Sequence, residues 1–218
     1  MSKQMKADLA LLLVTVGWGA SFILVKDSLT HIETFNFLAI RFSVAFIISG
    51  IIFIQKIKCI DKKTLEYSFI LGFILFAHYA LQTLGLNYTT ASKSAFITGL
   101  NVVMVPLLSA IVIKKLPEKK ILLSVLLALT GLGLLTLKQS ITEINVGDLL
   151  TVGCALVFSL YIILVDRFTT KVDSILLAIL QLGVVGLLSL FYTILFENPI
   201  IPSYSGVWVN ILILSLVC

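Results

Sequence analysis

Arg41 is the residue of this sequence that most clearly suggests chemistry, because it carries a permanent charge inside a long apolar segment. A buried cation is costly unless another group offsets its charge. A guanidinium at this position would attract a ligand that carries a carboxylate. Alternatively, its long side chain would extend toward water or bind backbone carbonyls of a neighbouring segment. The sequence leaves both interpretations open.

A second set of polar side chains, His78, Tyr79 and Gln82, interrupts another apolar segment. In a helix, His78 and Gln82 would share one face because they are four residues apart. This pair could bind a polar ligand, and a histidine can change its charge near neutral pH. The alternative is a structural role, in which the same groups form hydrogen bonds between helices.

Two further pairs lie three residues apart and would also share a helix face. For Thr98 and Asn101 we favour a structural role. Trp18 and Ser21 would line a cavity or pack against neighbouring helices, and packing is the simpler expectation for Trp18. We interpret Lys26 as an anchor at the edge of its apolar segment, and we expect Pro106 to kink the segment that contains it.

The composition excludes several kinds of site. Of 218 residues, 59% are hydrophobic and 12% are charged, whereas about 25% of the residues in soluble domains are charged. The net charge of +5 comes from lysines in short loops, so we expect no nucleic-acid partner. Cys59, Cys154 and Cys218 are too widely separated for a metal site or a disulfide framework, and nothing indicates a cofactor. No carboxylate accompanies His78 within its apolar segment, so we expect no catalytic residues and no enzyme.

The elements that must position these side chains are membrane-spanning helices. A bilayer core about 30 Å thick requires about 20 apolar residues in a helix. The predicted fold is therefore all-α, a polytopic transmembrane helix bundle. The sequence predicts eight spans: Asp8–Lys26, Thr34–Gln55, Tyr67–Leu86, Ser94–Ile113, Ile121–Leu137, Asp148–Val165, Ser174–Phe196 and Gly206–Cys218, the last of them cut off.

The basic residues orient these spans. Twelve Lys and Arg residues fall on the side of the N-terminus, here called the lysine-rich side, whereas three fall on the opposite side and Arg41 lies within a span. Positive residues accumulate on the cytoplasmic side of membrane proteins. We therefore expect a multi-pass membrane protein with its N-terminus in the cytoplasm.

An internal repeat relates the first and sixth spans at a spacing of 140 residues. The matched pairs are Asp8 and Asp148, Trp18 and Phe158, Ser21 and Tyr161, and Arg41 and Gln181. A repeat of five spans places its second copy in the opposite orientation, an arrangement common in secondary transporters. We predict a first repeat at residues 1–140 and an incomplete second repeat at residues 141–218, and we expect a longer, ten-span protein.

Several motifs of the chain resemble those of the EamA-type permeases of the drug/metabolite transporter superfamily. They are Gly17-Trp18-Gly19-Ala20-Ser21-Phe22 with Lys26, Arg41-Phe42, Leu86-Asn87-Tyr88-Thr89-Thr90-Ala91-Ser92, Pro106-Leu107, Gly131-Leu132-Gly133 and Gly147-Asp148-Leu149-Leu150. The order and spacing of these motifs carry the resemblance. In one departure, a Glu that members often have near the cytoplasmic end of the fourth span is replaced by Lys115, with Glu118 three residues later.

The resemblance implies ten helices in two inverted five-helix repeats. It also implies transport of small metabolites such as amino acids across the bacterial inner membrane by alternating access, with export favoured. The implied partners are the lipid bilayer and a small-molecule substrate, and a homodimer is also considered. The candidates for the substrate cavity are Trp18, Ser21, Arg41, His78, Tyr79, Gln82, Thr98, Asn101, Tyr161 and Gln181.

The acidic residues limit the mechanism. All eleven lie in loops or at span ends, which disfavours proton-coupled export of cationic drugs, because such exchange uses a carboxylate within the membrane. Facilitated diffusion remains, as does coupling through His78 or through residues outside this sequence. ATP-driven transport is not expected, because the chain has no Walker motif. A membrane scaffold that transports nothing is the alternative function.

Overall fold

A computed structural model describes residues 3–58, 60–113, 119–136 and 145–217, and its regular structure is α-helical throughout. The helices are α1 (Lys3–Ser28), α2 (Thr34–Ile52), α3 (Ile54–Ile57), α4 (Lys62–Tyr88), α5 (Ala91–Gly99), α6 (Asn101–Ile113), α7 (Lys119–Thr136), α8 (Val146–Thr169), α9 (Ser174–Phe196) and α10 (Ser205–Val217). Five segments within these residues are long and apolar enough to cross a membrane: α2, α4, Ala91–Ile111, α8 and α9. The prediction of an all-α polytopic bundle is confirmed.

Each predicted span corresponds to a helix or to a pair of helices. The α4 helix begins five residues before its predicted start, because the Asp61 side chain accepts a hydrogen bond from the Thr64 backbone N–H and caps the helix. Hydropathy alone does not detect such a polar first turn. Some predictions fall outside the described residues, namely those for Cys59, Lys114, Lys115, Glu118, Lys138 and Cys218.

The fourth span is interrupted between α5 and α6. The break lies at Leu100, whose backbone N–H bonds to the Ile97 carbonyl 3.1 Å away. Pro106 lies within α6 and supplies no backbone N–H, and its ring crowds the carbonyl four residues earlier, at Val102. The interruption at Leu100 lies six residues before Pro106, close to the Val102 carbonyl that the proline leaves without a hydrogen bond. It also separates Thr98 from Asn101.

The described helices pack into one bundle whose most extensive contacts involve α4, α8 and α9. The α4 helix packs against α8 and α9, α2 lies along α9, and α10 packs against α1 and α2. The α5 and α6 helices cover α8. The centre of this bundle is filled by side chains that include Phe37, Phe42, Val185, Val207 and Ile211, each at most 2% exposed.

Glycines allow α4 and α8 to approach closely near the side opposite the lysine-rich one. A Cβ atom on Gly147 would lie 2.5 Å from the Gly85 carbonyl oxygen and 2.9 Å from the Thr89 backbone nitrogen. A Cβ on Gly85 would lie 2.9 Å from the Thr151 Oγ1. Small residues bring membrane helices together in this way, because van der Waals contact replaces the hydrophobic driving force within lipid.

We expect Gly147→Ala to destabilise the bundle by about 1–3 kcal/mol, the usual cost of overpacking. The added methyl group would meet backbone atoms that cannot rotate away. Gly153→Ala in the same helix is the matched control, because its Cβ would lie 3.6 Å from Leu81 Cδ1, an ordinary contact. Thermal unfolding in detergent measures the difference. Equal melting temperatures for the two variants would contradict a tight crossing at Gly147.

Glu197, just beyond the end of α9, ties that helix to the beginning of α2. Its carboxylate accepts hydrogen bonds from the backbone N–H groups of Phe35, at 2.9 Å, and Asn36, at 2.8 Å. The N-cap residue of α2, Glu33, makes no side-chain capping bond to its own helix. Glu197 therefore satisfies the free N–H groups at the N-terminus of α2, where an acidic group is favoured.

A second polar contact links the end of α2 to the start of α9 at the lysine-rich side. The Lys56 ammonium, just after α2, forms a salt bridge with Asp173, the N-cap of α9. Asp173 also accepts hydrogen bonds from the backbone N–H groups of Ile175 and Leu176. The hydrogen bond from Lys56, together with those from the backbone, holds the pKa of Asp173 below its usual range. The α2–α9 pair is thus tied at both ends.

The stability that Glu197 contributes at the junction of α9 and α2 should depend on pH. Burial raises the pKa of Glu197, with a smaller contribution from the charge of Glu33. Because the pKa in the folded state is above that in the unfolded state, the resulting stability is lost as the pH rises through the folded value. As the pH rises above the ordinary glutamate pKa of about 4.3, the wild type should therefore lose more thermal stability than Glu197→Gln, which has no proton to release. Parallel melting curves across this range would contradict the raised pKa.

Candidate functional site

A cavity of about 360 Å³ lies where α1, α4, α8 and α9 meet. Its size is within the range of about 300–1,000 Å³ typical of small-molecule pockets. Each of the four helices contributes at least two side chains. The lining residues are Val14, Trp18, Leu75, Tyr79, Phe158, Tyr161, Ala178, Gln181 and Leu182.

Aromatic rings form much of the cavity wall. Trp18 contacts Phe158 edge to face, with ring centroids 5.3 Å apart. Phe158 also stacks on Tyr161, whose centroid is 5.7 Å away. Such surfaces bind the apolar or planar part of a ligand through a large contact area. Trp18 is 37% exposed because one side of its ring faces open space.

One polar pair stands out against this apolar wall. The Tyr161 hydroxyl donates a hydrogen bond to Gln181 Oε1 at 3.1 Å. The Gln181 side chain is 8% exposed and points into the cavity. A buried amide held by a fixed partner can select a ligand that completes its remaining hydrogen bonds. None of the lining residues is acidic.

Arg41 lies behind the cavity wall. Its guanidinium carbon is 5.2 Å from the centroid of the Tyr79 ring, which lines the cavity, and 5.0 Å from that of Phe42. Arg41 is 3% exposed, and no Asp or Glu in the described part of the chain forms an ion pair with it. Two aromatic faces therefore offset part of its charge, and the remaining positive potential acts across Tyr79 on the cavity.

His78 faces α8 and lies behind Phe158. Its Nδ1 is 3.4 Å from the Cys154 carbonyl oxygen and 3.2 Å from the Cys154 sulfur. Its ring stacks on Phe158 at 4.3 Å. Its Nε2 is buried and has no hydrogen-bond partner among the described residues. His78 thus supports the wall of the cavity while keeping one unsatisfied polar atom.

Four of the ten candidate residues line the cavity: Trp18, Tyr79, Tyr161 and Gln181. Of the other six, Arg41, His78 and Ser21 contact residues of the lining. Ser21 is buried and donates its hydroxyl hydrogen to the Trp18 carbonyl at 2.6 Å. Gln82 and Thr98 are buried, whereas Asn101 is half-buried. These three do not line the cavity among the described residues.

Sequence reasoning did not select five lining residues: Val14, Leu75, Phe158, Ala178 and Leu182. Four of them are aliphatic and carry no signal that distinguishes a cavity wall from a packed core. Phe158 did carry a signal, because it is the repeat counterpart of Trp18. The structure brings this pair of counterparts into direct contact.

Other conspicuous polar residues have structural partners. The Asp148 carboxylate accepts hydrogen bonds from the Thr89 hydroxyl at 2.7 Å and from the Lys93 ammonium at 2.6 Å. Together with Asn145 it also forms a capping box at the start of α8. Lys26, predicted as an edge anchor, donates to the Leu86 carbonyl at the end of α4. The motifs around residues 86–92 and 147–150 therefore meet in one structural junction.

A model of the EamA-like transporter family matches residues 5–137. The chain is 34% identical over 187 residues to an uncharacterized transporter of Archaeoglobus fulgidus, a match that covers 86% of this chain and 58% of that relative. It is 30% identical over 218 residues to the uncharacterized transporter YyaM of Bacillus subtilis, covering 94% of this chain and 71% of that relative. The chain thus spans little more than half the length of the Archaeoglobus relative.

The fold is also found among solved structures. One protein crystal structure superposes with a TM-score of 0.71 over 97% of this chain and 74% of its own, at 19% sequence identity. At that identity the likeness concerns the fold alone. Together with the apolar helices, the family match identifies a multi-pass membrane protein. The chain belongs to the EamA-like transporter family.

Proposed function

We propose that this protein transports small metabolites, such as amino acids and related amphipathic compounds, through the cavity between α1, α4, α8 and α9. The observation that carries this proposal is the lining of that cavity: aromatic walls, one oriented polar pair at Tyr161 and Gln181, and the buried charge of Arg41 behind Tyr79. Such a site suits a ligand that has both an apolar part and a polar or anionic group. Both relatives described above are named as transporters.

The proposed mechanism is alternating access between two inverted repeats, with the boundary near residue 140. The helix contacts support it. In the repeat, α1, α2 and α4 correspond to α8, α9 and α10. The packing of α4 against α8 and α9 then has its counterpart in the packing of α10 against α1 and α2. The cavity lies between α1 and α4 of the first repeat and α8 and α9 of the second, and secondary transporters of this design bind substrate at the interface between repeats.

We place the lysine-rich side in the cytoplasm and the protein in the bacterial inner membrane, with export as the proposed direction. The distribution of described cations supports this orientation. Lys56, Lys63 and Lys171 lie near the same end of the bundle, around Asp173 and Tyr67. Lys26 and Lys93 are at the opposite end, where each has a structural partner.

Flux measurements on the full-length protein in proteoliposomes test the function. Radiolabelled amino acids loaded inside should exchange with external substrate, and Ala178→Trp should abolish the exchange because the indole would fill the cavity. Ala20→Trp is the matched control, since Ala20 is exposed and outside the cavity lining. If neither the wild type nor the control moved any amino acid or related metabolite, the scaffold alternative would be favoured.

A further inference from the structure

A second concavity opens on the outer surface of the bundle between α2, α4 and α9. This lateral groove has a volume of about 410 Å³ and is almost wholly apolar. Its lining includes Phe46, Leu65, Phe69, Val184 and Leu187. Leu65, Phe69 and Leu187 are 55%, 59% and 69% exposed, so the groove is open to its surroundings. In a membrane protein those surroundings are lipid.

The lateral groove is separate from the substrate cavity. The α9 helix forms a wall of both, because Ala178, Gln181 and Leu182 face the cavity whereas Val184 and Leu187 face the groove. At 3.6 residues per turn, Ala178, Gln181 and Leu182 are centred on one side of α9, whereas Gly183, Val184 and Leu187 are centred on the opposite side. No lining residue is common to the two concavities.

Gly183 keeps the lateral groove open. A Cβ atom at this position would lie 3.1 Å from the Phe46 ring, so a larger residue would press on the opposite wall. Ser68 at the base is fully buried and donates its hydroxyl hydrogen to the Thr64 carbonyl at 2.7 Å. The Ser68 hydroxyl hydrogen is therefore already used, and the lining as a whole is dominated by apolar side chains.

The charge at the mouth of the lateral groove indicates what fills it. Lys62 lies two helical turns from Phe69 on the same face of α4, its side chain is 91% exposed, and its nearest carboxylate, that of Glu66, is 3.9 Å away. Lys58 is also exposed on the preceding loop. Segment 56–66 carries four lysines against Asp61 and Glu66. Basic residues next to a membrane surface attract anionic lipid headgroups.

We propose that the lateral groove is a binding site for one anionic phospholipid of the leaflet on the lysine-rich side. One acyl chain lies in the groove between Phe46, Phe69 and Leu187, and the headgroup phosphate contacts Lys62. The leaflet follows from the helix ends, since Leu65 is only about 5 Å along α4 from Lys62 at 1.5 Å per residue. A second copy of the chain would bring a second set of these lysines to the same surface, which disfavours it as the occupant.

Photo-crosslinking in proteoliposomes tests this site without depending on transport. The full-length protein is reconstituted with phosphatidylglycerol or phosphatidylcholine that carries a diazirine midway along one acyl chain, and labelled peptides are identified by mass spectrometry. We expect labelling around Phe69 and Leu187 by the anionic probe, displaced by unlabelled phosphatidylglycerol. Lys62→Gln should weaken this labelling about fivefold, whereas Lys119→Gln, an exposed lysine on another helix, should not.

A second pair of variants tests the acyl-chain position. Leu187→Trp fills the rim of the groove and should remove labelling around Phe69. Ile194→Trp, on the same face two turns further along α9 and 62% exposed, should leave it unchanged. Equal labelling by both probes that is insensitive to Lys62→Gln and Leu187→Trp would overturn the proposal in favour of bulk lipid. Crosslinks between two copies through this surface would overturn it in favour of a dimer.

Discussion

Replacing Arg41 with methionine is expected to weaken binding of anionic and zwitterionic substrates strongly while leaving the bundle folded. The guanidinium is 3% exposed and lies against the rings of Phe42 and Tyr79, without an acidic partner in the described part of the chain. Methionine can occupy the same space without a charge. Removing a buried, unpaired charge is neutral or favourable for stability. Only a ligand that uses this charge should be affected.

The expected loss is about ten- to a hundredfold in affinity, the size of an attraction between two charges that acts across Tyr79 in a partly buried site. Binding measured by scintillation proximity, together with thermal unfolding in detergent, separates this effect from misfolding. Arg41→Lys should restore part of the binding, because it keeps the charge but loses the planar group that stacks on the rings. If Arg41→Met bound substrate normally, Arg41 would have a structural role only.

Replacing Gln181 with leucine is expected to reduce transport of polar substrates about tenfold or more, because the amide is the buried polar group held in position within the cavity. Leucine preserves most of the side-chain volume. The variant also leaves the Tyr161 hydroxyl without its 3.1 Å acceptor. The effect should appear in the flux of substrates with a polar group and should be weaker for apolar analogues of similar size.

A double-mutant cycle with Tyr161→Phe distinguishes positioning from contact. If Tyr161 acts by orienting Gln181, then Tyr161→Phe should cost less than Gln181→Leu, and the double variant should be no worse than Gln181→Leu alone. Additive losses would mean that each side chain contacts the substrate independently. Leu75→Met, a volume-conserving change in the same wall, is the control that should leave flux nearly unchanged.

The positions of the spans could be predicted approximately because most are long apolar runs, and five of the described segments are long and apolar enough to cross a membrane. The ends of the helices could not be predicted, because they depend on capping hydrogen bonds. The Asp61 side chain extends α4 by more than a turn, and the interruption at Leu100 is displaced from the proline that suggested it. Both are local hydrogen-bonding effects that average hydropathy does not register.

The repeat was the most informative guide to the candidate site. Trp18 and Phe158, matched at a spacing of 140 residues, are in contact, and Tyr161 and Gln181, both matched to polar residues of the first half, face the cavity. The presence of a polar residue within a span was a less selective guide to the cavity lining. It selected His78 and Gln82 equally, although His78 stacks behind the wall at Phe158 and neither residue lines the cavity.

Contacts between residues far apart in the sequence could not be predicted from it. Asp148 and Lys93 are 55 residues apart and their ion pair depends on how α5 packs on α8. Lys26 is 60 residues from the carbonyl it binds. The lateral groove is harder still to foresee, because its walls come from three helices and its residues resemble any other lipid-facing surface.

The α9 helix has a mechanical consequence as the wall shared by the two concavities. Polar contacts join both of its ends to neighbouring segments, through Glu197 to the start of α2 and through Asp173 to Lys56, so sliding or separation at either end would break them. Closely packed protein interiors transmit such strain. A molecule bound in the groove beside Val184 therefore presses on the helix whose opposite side carries Gln181. With a lipid in the groove as proposed, the lipid composition of the membrane would influence the dimensions of the cavity through the thickness of one helix.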